Sequence, residues 1–556
     1  MRTVKTPGIP VQSKERRPHP AWFEAAPMPD PREILTGLEP YSGPWDQAAV
    51  LHLLRRTQFG PTTSDVKALL KMSFEEAVQH ILVPHTIAPA PVNNYSVAIE
   101  EPDPEVPFGK TWINAPFYLE TEYWRGVSLK CWWIDSMLQP RQGIHEKMWL
   151  FWSNHLAIQF EALFNARYCY RYLTTLHQHS LGNFKAMVKA ITTDPAMLIY
   201  LNGALNEASA PDENYARELQ ELFCLGLGSG FTEADVRAAA RVLTGWRVDW
   251  DFPKSAFDPW VHDTEDKQFS AFYDNALIKG RTGIDGKQEL DDLLELLFSR
   301  DACAAFICRK LYRFFVFHDI DEATETNVIQ PLAQIFRENN YDILPVLKAL
   351  FSSAHFFDPL NRATVIKGPM DYVLGLNRQC KVVFPEKTDL TNRFQAQMNM
   401  WYWMVDMLQD AGDPPNVAGW PAYYQFPQYD KLWITASTLP KRAEHTDNMI
   451  YYGYPSNDYL TALDVVAMVK TLNQPSDPDL LIDELLTLFF PLPMPETLRP
   501  VLKDFLLTGQ QSDYYWTQAW NAYLQAPNDE MARNTVESRL QNLFRFLLQL
   551  EEYQLM

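Results

Sequence analysis

The chain has 556 residues, 47% of them hydrophobic and 21% charged, which is the balance of a folded globular protein and excludes a disordered one. A formal net charge of -20 places negative potential over most of the surface and excludes nucleic acid and anionic membranes as main partners. Six cysteines (Cys131, Cys169, Cys224, Cys303, Cys308 and Cys380) show no CxxC and no paired spacing, so neither a zinc knuckle nor a disulfide framework is supported.

Residues 1–43 are rich in proline and charge and read as an extended or disordered tail. The first twenty residues lack the apolar run of a secretory signal, so the chain as written is expected in the cytoplasm. Processing or co-export would instead place it in the periplasm or outside the cell. No stretch is long and apolar enough to span a bilayer. Helical patterns begin near Trp45 and continue from Thr62 or Thr63 and from Phe74. A proline-rich loop is expected over 84–107, and helices with recurring aromatic residues over 117–139 and 144–164. His155 falls on the face of Met148, Phe151 and Trp152, as either a satisfied core histidine or a ligand. Further helices are expected over 166–176, 183–192 and from Asp194-Pro195.

The richest stretch is 211–228. Ser209 is a candidate N-cap, Pro211 suits the first turn, and Gly226 and Gly228 supply the stop. Tyr215, Leu219, Leu222 and Phe223 form an apolar stripe flanked by Asn214, Glu218 and Glu221. Arg217 stands four residues from both Glu213 and Glu221. Thr232-Glu233-Ala234-Asp235 reads as a capping box that opens an antiparallel helix carrying Arg237 and Arg241, either of which is placed to reach the Glu218/Glu221 flank. Two readings stay open here: an ion-pair seam that locks a helical hairpin, or a carboxylate-rich site for a metal or for acid–base work.

Residues 246–286 lose the helical period and form an irregular insertion, with two short strands expected near 267–272 and 275–279. His262-Asp263 lies in it. Helices resume over 289–298 and 302–317, with Arg309, Lys310 and Arg313 on the polar side. More follow over 327–338, 343–351, 369–376, 401–408, 433–442, 462–472, 479–489, 496–507 and 536–550. Asp413 to Pro421 is a rigid loop that presents Trp420. The fold expected is mainly α, a large multi-helical, bundle-like architecture with one irregular insertion and at most a short β-hairpin. Its organisation reads as an N-terminal helical region over 44–245 and a C-terminal one over 287–556 packed on the first.

Several stretches together resemble one bacterial family, the domain of unknown function 1800. They are His52-Leu53-Leu54-Arg55-Arg56 with Phe59-Gly60-Pro61, Phe151-Trp152-Ser153-Asn154-His155, Leu181-Gly182-Asn183-Phe184 and Asp194-Pro195-Ala196-Met197-Leu198. Glu213 to Glu218, Ala240 to Trp246, His262-Asp263 with Lys267, and Pro415 to Pro421 complete the set, which covers the chain from about residue 45 onward. The resemblance implies a large helical bacterial protein of unknown activity, of a kind often found with secreted or periplasmic hydrolase-like neighbours and commonly bearing export signals. This chain departs in lacking a recognisable signal and in carrying Phe269-Ser270 where the family tends to have a Leu-Gly pair.

Two functions from different classes fit these residues. The first is a metal-dependent enzyme, with Glu218, Glu221, His155, Arg217 and Arg241 in the catalytic set. Glu218, Glu221, His155, His262 and Asp263 would ligate a divalent ion such as iron, manganese or zinc. Trp246, Asn214 and Trp420 are the binding candidates. The second is a non-catalytic interaction or scaffold protein that docks a partner protein or a glycan, with the Glu/Arg cluster as a structural lock. No GxSxG, dinucleotide or P-loop signature is present; Gly226-Leu227-Gly228 follows a helix and is a C-cap.

Overall fold

Helix after helix in this chain starts on a side-chain cap. Asp46 accepts from the Ala49 backbone, Thr62 and Asp65 form a capping box, and so do Ser73 and Glu76. The computed structural model describes residues 34–99 and 102–556, and these are mainly helical. Of the expected N-terminal tail, residues 1–33 lie outside the described part. Residues 34–43 are extended and fastened to the body: the Tyr41 amide donates to Ser352 O at 2.8 Å and the Ala354 amide to Glu39 O at 2.8 Å.

The long aromatic helix Leu119–Leu138 packs against Leu390–Asp406 and Ala166–His179, and His145–His155 also packs on Ala166–His179. Trp133, Trp149 and Trp152 are fully buried between them. The proline-rich loop before this layer is pinned by Asp103, which accepts from Tyr95 Oη at 2.6 Å and from the buried Arg125 at 2.9 Å. Asp301–Phe315 lies along Gln330–Glu338. The last long helix, Glu530–Leu548, gathers Thr438–Tyr451, Val465–Val469, Arg499–Leu507 and Tyr514–Gln525 around it. Buried apolar side chains form one continuous cluster that runs from Ala49 to Tyr553. All six cysteines are buried and free. Among the described residues no helix is long and apolar enough to cross a membrane.

Two-stranded antiparallel hairpins are the only sheets among the described residues. Lys267–Gln268 pairs with Leu277–Ile278 inside the expected strand region. Trp246–Asp249 with Lys254–Phe257, and Tyr454–Pro455 with Leu460–Thr461, are two hairpins beyond the sequence expectation. Their strands are too short to show an alternating pattern against a background of aromatic and charged residues. The Tyr514–Gln525 helix was likewise not anticipated: its rings disperse the apolar stripe, and only Trp516, Trp520 and Tyr523 turn inward.

Candidate functional site

His155 is the last residue of its helix and is 2% exposed. Its Nε2 lies 2.9 Å from the Phe223 carbonyl, and a carbonyl only accepts, so Nε2 carries the proton. That carbonyl is available because it lies in the last turn of the helix, where Asn214–Glu218 has widened into a π-helical turn over Leu219–Cys224 and the Leu225 amide donates to Gln220 O, five residues back. Nδ1 keeps a bare lone pair with no hydrogen-bond partner. Burial, and then the charge of Lys310, hold the imidazole well below its ordinary pKa, so the ring is neutral.

The neighbouring Asn154 Oδ1 accepts the Trp420 amide at 2.7 Å. Gly419 makes this approach possible. Its φ is +90°, and a Cβ there would sit 2.3 Å from Asn154 Oδ1. The proline-rich loop therefore folds inward onto the end of the His155 helix. Trp420 is 2% exposed and packs inside instead of facing a partner.

Loop and helix enclose a cavity with about 30 Å³ of room for water centres, enough for two waters or one small polar head group. Lys310 and Arg313 line it from one face of Asp301–Phe315. The half-buried Lys310 ammonium lies 5.1 Å from the centre of the Phe306 ring, and among the described residues it has neither a hydrogen-bond nor an ion-pair partner. Burial, and then Arg313, push its pKa down to about 8. Arg313 rests its guanidinium 5.1 Å over the Tyr429 ring, and burial lowers its pKa too. The carboxylates in the wall are engaged elsewhere. Asp371 pairs with the buried Lys147, and Asp430 accepts the Ile366 amide at 2.9 Å with His318 at 3.9 Å. The cavity wall thus carries two cations, Lys310 and Arg313, and the neutral His155 ring.

The other sequence candidates lie in different surroundings. The structure does not use Ser209 as the cap; its Oγ donates to Glu207, and the helix begins at Asn214, which is exposed. Arg217 turns outward to Glu233 at 2.6 Å and Glu213 at 3.2 Å. Arg241 donates to Asp263 at 2.6 Å instead of reaching Glu218 or Glu221, and of the two pairings open to Arg217 the one with Glu213 forms and the one with Glu221 does not. Glu218 and Glu221 are half-buried, and burial, followed by the Glu221 charge, raises the pKa of Glu218. His262 Nδ1 sits 2.9 Å from Thr244 O, and its Nε2 is 3.2 Å from Glu289 Oε1. Trp246 is half-buried against Phe257.

Glu218, Glu221, His155, His262 and Asp263 do not group at metal-ligand spacing: His155 is tied to Phe223 O, while His262 and Asp263 are tied to Thr244 and Arg241. Among the described residues one carboxylate group has metal-like spacing, Glu161, Asp410 and Asp413, with ligand atoms within 4.8 Å of one another. Lys130 already stands in it, 2.8 Å from Asp410 and 2.7 Å from Asp413. Lys310 and Arg313 are the functional candidates that the sequence reading left on a polar face. The available signal was three cations, Arg309, Lys310 and Arg313, within the last two turns of a largely apolar helix.

Comparison with known proteins adds a family and nothing finer. The profile described as "Protein of unknown function (DUF1800)" matches residues 52–555, nearly the whole chain. No curated protein matches the chain. No solved structure matches it either.

Proposed function

The chain belongs to the DUF1800 family, whose description leaves the activity open, and from there we propose that it binds a small anionic molecule through Lys310 and Arg313, with His155 as the base beside it. The observation that carries this reading is the Lys310 ammonium, lodged in a cavity without a carboxylate partner. A half-buried cation with no counter-charge beside it is disfavoured, and a bound anion relieves that. Arg313 adds the planar fork that suits a carboxylate or a phosphate. His155, neutral and fixed through Nε2, presents Nδ1 as a proton acceptor, so the reaction class that fits is proton transfer on a molecule held by its anionic head.

A metal-dependent enzyme built on Glu218, Glu221, His155, His262 and Asp263 draws no support from their placement. The interaction-protein reading keeps one: Arg217 and Arg241 act as structural ties, though to Glu213, Glu233 and Asp263. For that role the surface to test is the insertion, where Trp250, Phe252 and Trp260 are exposed, rather than Trp420.

Calorimetric titration of the full chain with succinate and with inorganic phosphate tests the proposal. One of these anions is expected to bind, and Lys310→Met should weaken it by about tenfold or more while Glu218→Gln leaves it unchanged. Absence of binding by the folded parent chain sinks the reading. Stoichiometric iron, manganese or zinc that disappears in Glu218→Ala would restore the metal reading in its place.

A further inference from the structure

A second cavity, of about 380 Å³, lies on another part of the molecule, between the Leu119–Leu138 helix, the Phe160–Leu163 turn, the start of Ala166–His179, and Trp401. That volume suits a small organic molecule. Its walls are largely aromatic: Tyr123, Phe160, Phe164 and Trp401 line it, and Tyr123 and Phe164 are 47% and 39% exposed although large and apolar.

Apart from Lys130, the charged groups in this cavity are carboxylates. Asn165 is 9% exposed, and its Oδ1 has no hydrogen-bond partner, which is unusual for a buried amide and marks a place where a donor belongs. Glu161 is exposed at the edge, and its side chain makes no hydrogen bond or ion pair among the described residues. Asp413 accepts the Glu161 amide at 2.8 Å. Glu122, also in the lining, is already held by the Ala166 amide at 2.6 Å and Arg125 at 3.5 Å, which leaves Lys130 as the one ammonium of the lining. That ammonium is already spent: it pairs with Asp410 and Asp413 and lies 4.9 Å over the Trp401 ring.

Aromatic faces, the unpaired Glu161 carboxylate and an unsatisfied amide oxygen select against anions and favour a cation with N–H donors. We propose that this cavity binds a protonated amine carried on an aromatic or apolar body, with the amine between Asn165 and Glu161 and the body against Tyr123, Phe160 and Phe164. The site shares no residue with the His155 cavity, so it stands or falls independently of the anion-binding reading.

Calorimetry on the full chain with phenethylamine, 3-phenylpropionate and methylamine tests it. Phenethylamine should bind at least about tenfold more tightly than 3-phenylpropionate, which has a similar body and the opposite charge, and than methylamine, which has the charge alone. Glu161→Gln and Phe164→Ala, both at exposed positions that the fold tolerates, should each weaken it by about threefold to tenfold. Lys310→Met should leave it unchanged. Equal binding of 3-phenylpropionate overturns the proposal. So does phenethylamine affinity that is insensitive to both variants, or no binding by the folded parent chain.

Discussion

Lys310 holds a charge where the surroundings disfavour it, and this gives the anion site a pH signature. Its folded pKa, near 8, is below the 10.5 of an ordinary lysine, with burial the main cause and Arg313 the second. Between those two values the unfolded chain binds the extra proton and the folded chain does not. In the absence of ligand, Lys310 therefore costs stability below pH 8, and that cost is relieved as pH rises from about 8 to about 10.5. Ligand binding runs the other way, because an anion needs the protonated amine. Succinate affinity, measured at pH 7, 8 and 9, is expected to hold below the pKa of the unliganded lysine, about 8, and to fall by up to about tenfold per unit above it. Lys310→Arg should preserve binding at pH 9, since a guanidinium stays charged there. A flat profile in the parent chain would remove Lys310 from the binding role. Little of this was legible in the sequence. A helical wheel places Lys310 and Arg313 on the polar face of Asp301–Phe315, but the loop that walls them in arrives from residues 419–423, over a hundred positions later.

At the scale of the element, local chemistry was read well where it stays local. Thr232 and Asp235 form the capping box their spacing implies, and Asp194-Pro195 opens a helix. The π-helical turn over Leu219–Cys224 was not readable, because a wheel assumes 3.6 residues per turn and nothing in Leu219-Gln220-Glu221-Leu222-Phe223-Cys224 announces a wider one. Yet that turn carries the carbonyl that orients His155. Asp194 shows what a cap costs when it is buried. Its Oδ1 accepts the Ala196 amide at 2.9 Å and Arg171 stands 3.5 Å away, but burial outweighs both and pushes the carboxyl to about 7. The folded pKa is thus above the unfolded 3.8, so the folded chain retains a proton that the unfolded chain loses, and stability drops as pH rises through that window. Asp194→Asn keeps the capping oxygen without the charge. It should raise stability at pH 8 by up to on the order of 3–4 kcal/mol, an advantage that fades to nothing as pH falls towards 4. Melting curves of the two chains at pH 4, 6 and 8 decide this; an Asn variant that melts lower at pH 8 would mean that the Arg171 pair outweighs the burial.

Across the whole molecule, the question is how an irregular insertion of some forty residues stays in place on a helical body. Ion pairs do much of it. Arg247 reaches Glu207 at 3.0 Å, Arg241 holds Asp263, Arg300 holds Asp274 at 2.7 Å, and Arg281 pairs with Asp292. The centre is Glu289, which is fully buried. It receives Lys267 at 2.6 Å and the Arg281 amide at 2.7 Å, with His262 at 3.2 Å. Burial alone would raise its pKa, but His262 and Lys267 outweigh that and hold it below the usual carboxylate range. The sequence marked His262, Asp263, Lys267 and Arg241 as a recognisable set but directed Arg241 to the preceding helix, since pairing across an aperiodic loop leaves no trace in a wheel. As a group these residues are placed like a clasp. Removing one member of a buried pair strands the other, at a cost of about 3–5 kcal/mol, whereas replacing both with apolar side chains is often near neutral. Glu289→Ala should therefore lower the urea midpoint sharply and open the insertion to proteolysis, while Lys267→Met with Glu289→Leu should recover most of the loss. Succinate binding at Lys310 should survive in the double variant, because the clasp and the cavity share no residue. Loss of anion binding together with the clasp would instead make the insertion part of the site, and a double variant no more stable than Glu289→Ala would mean that the charges themselves, not their mutual satisfaction, hold it there.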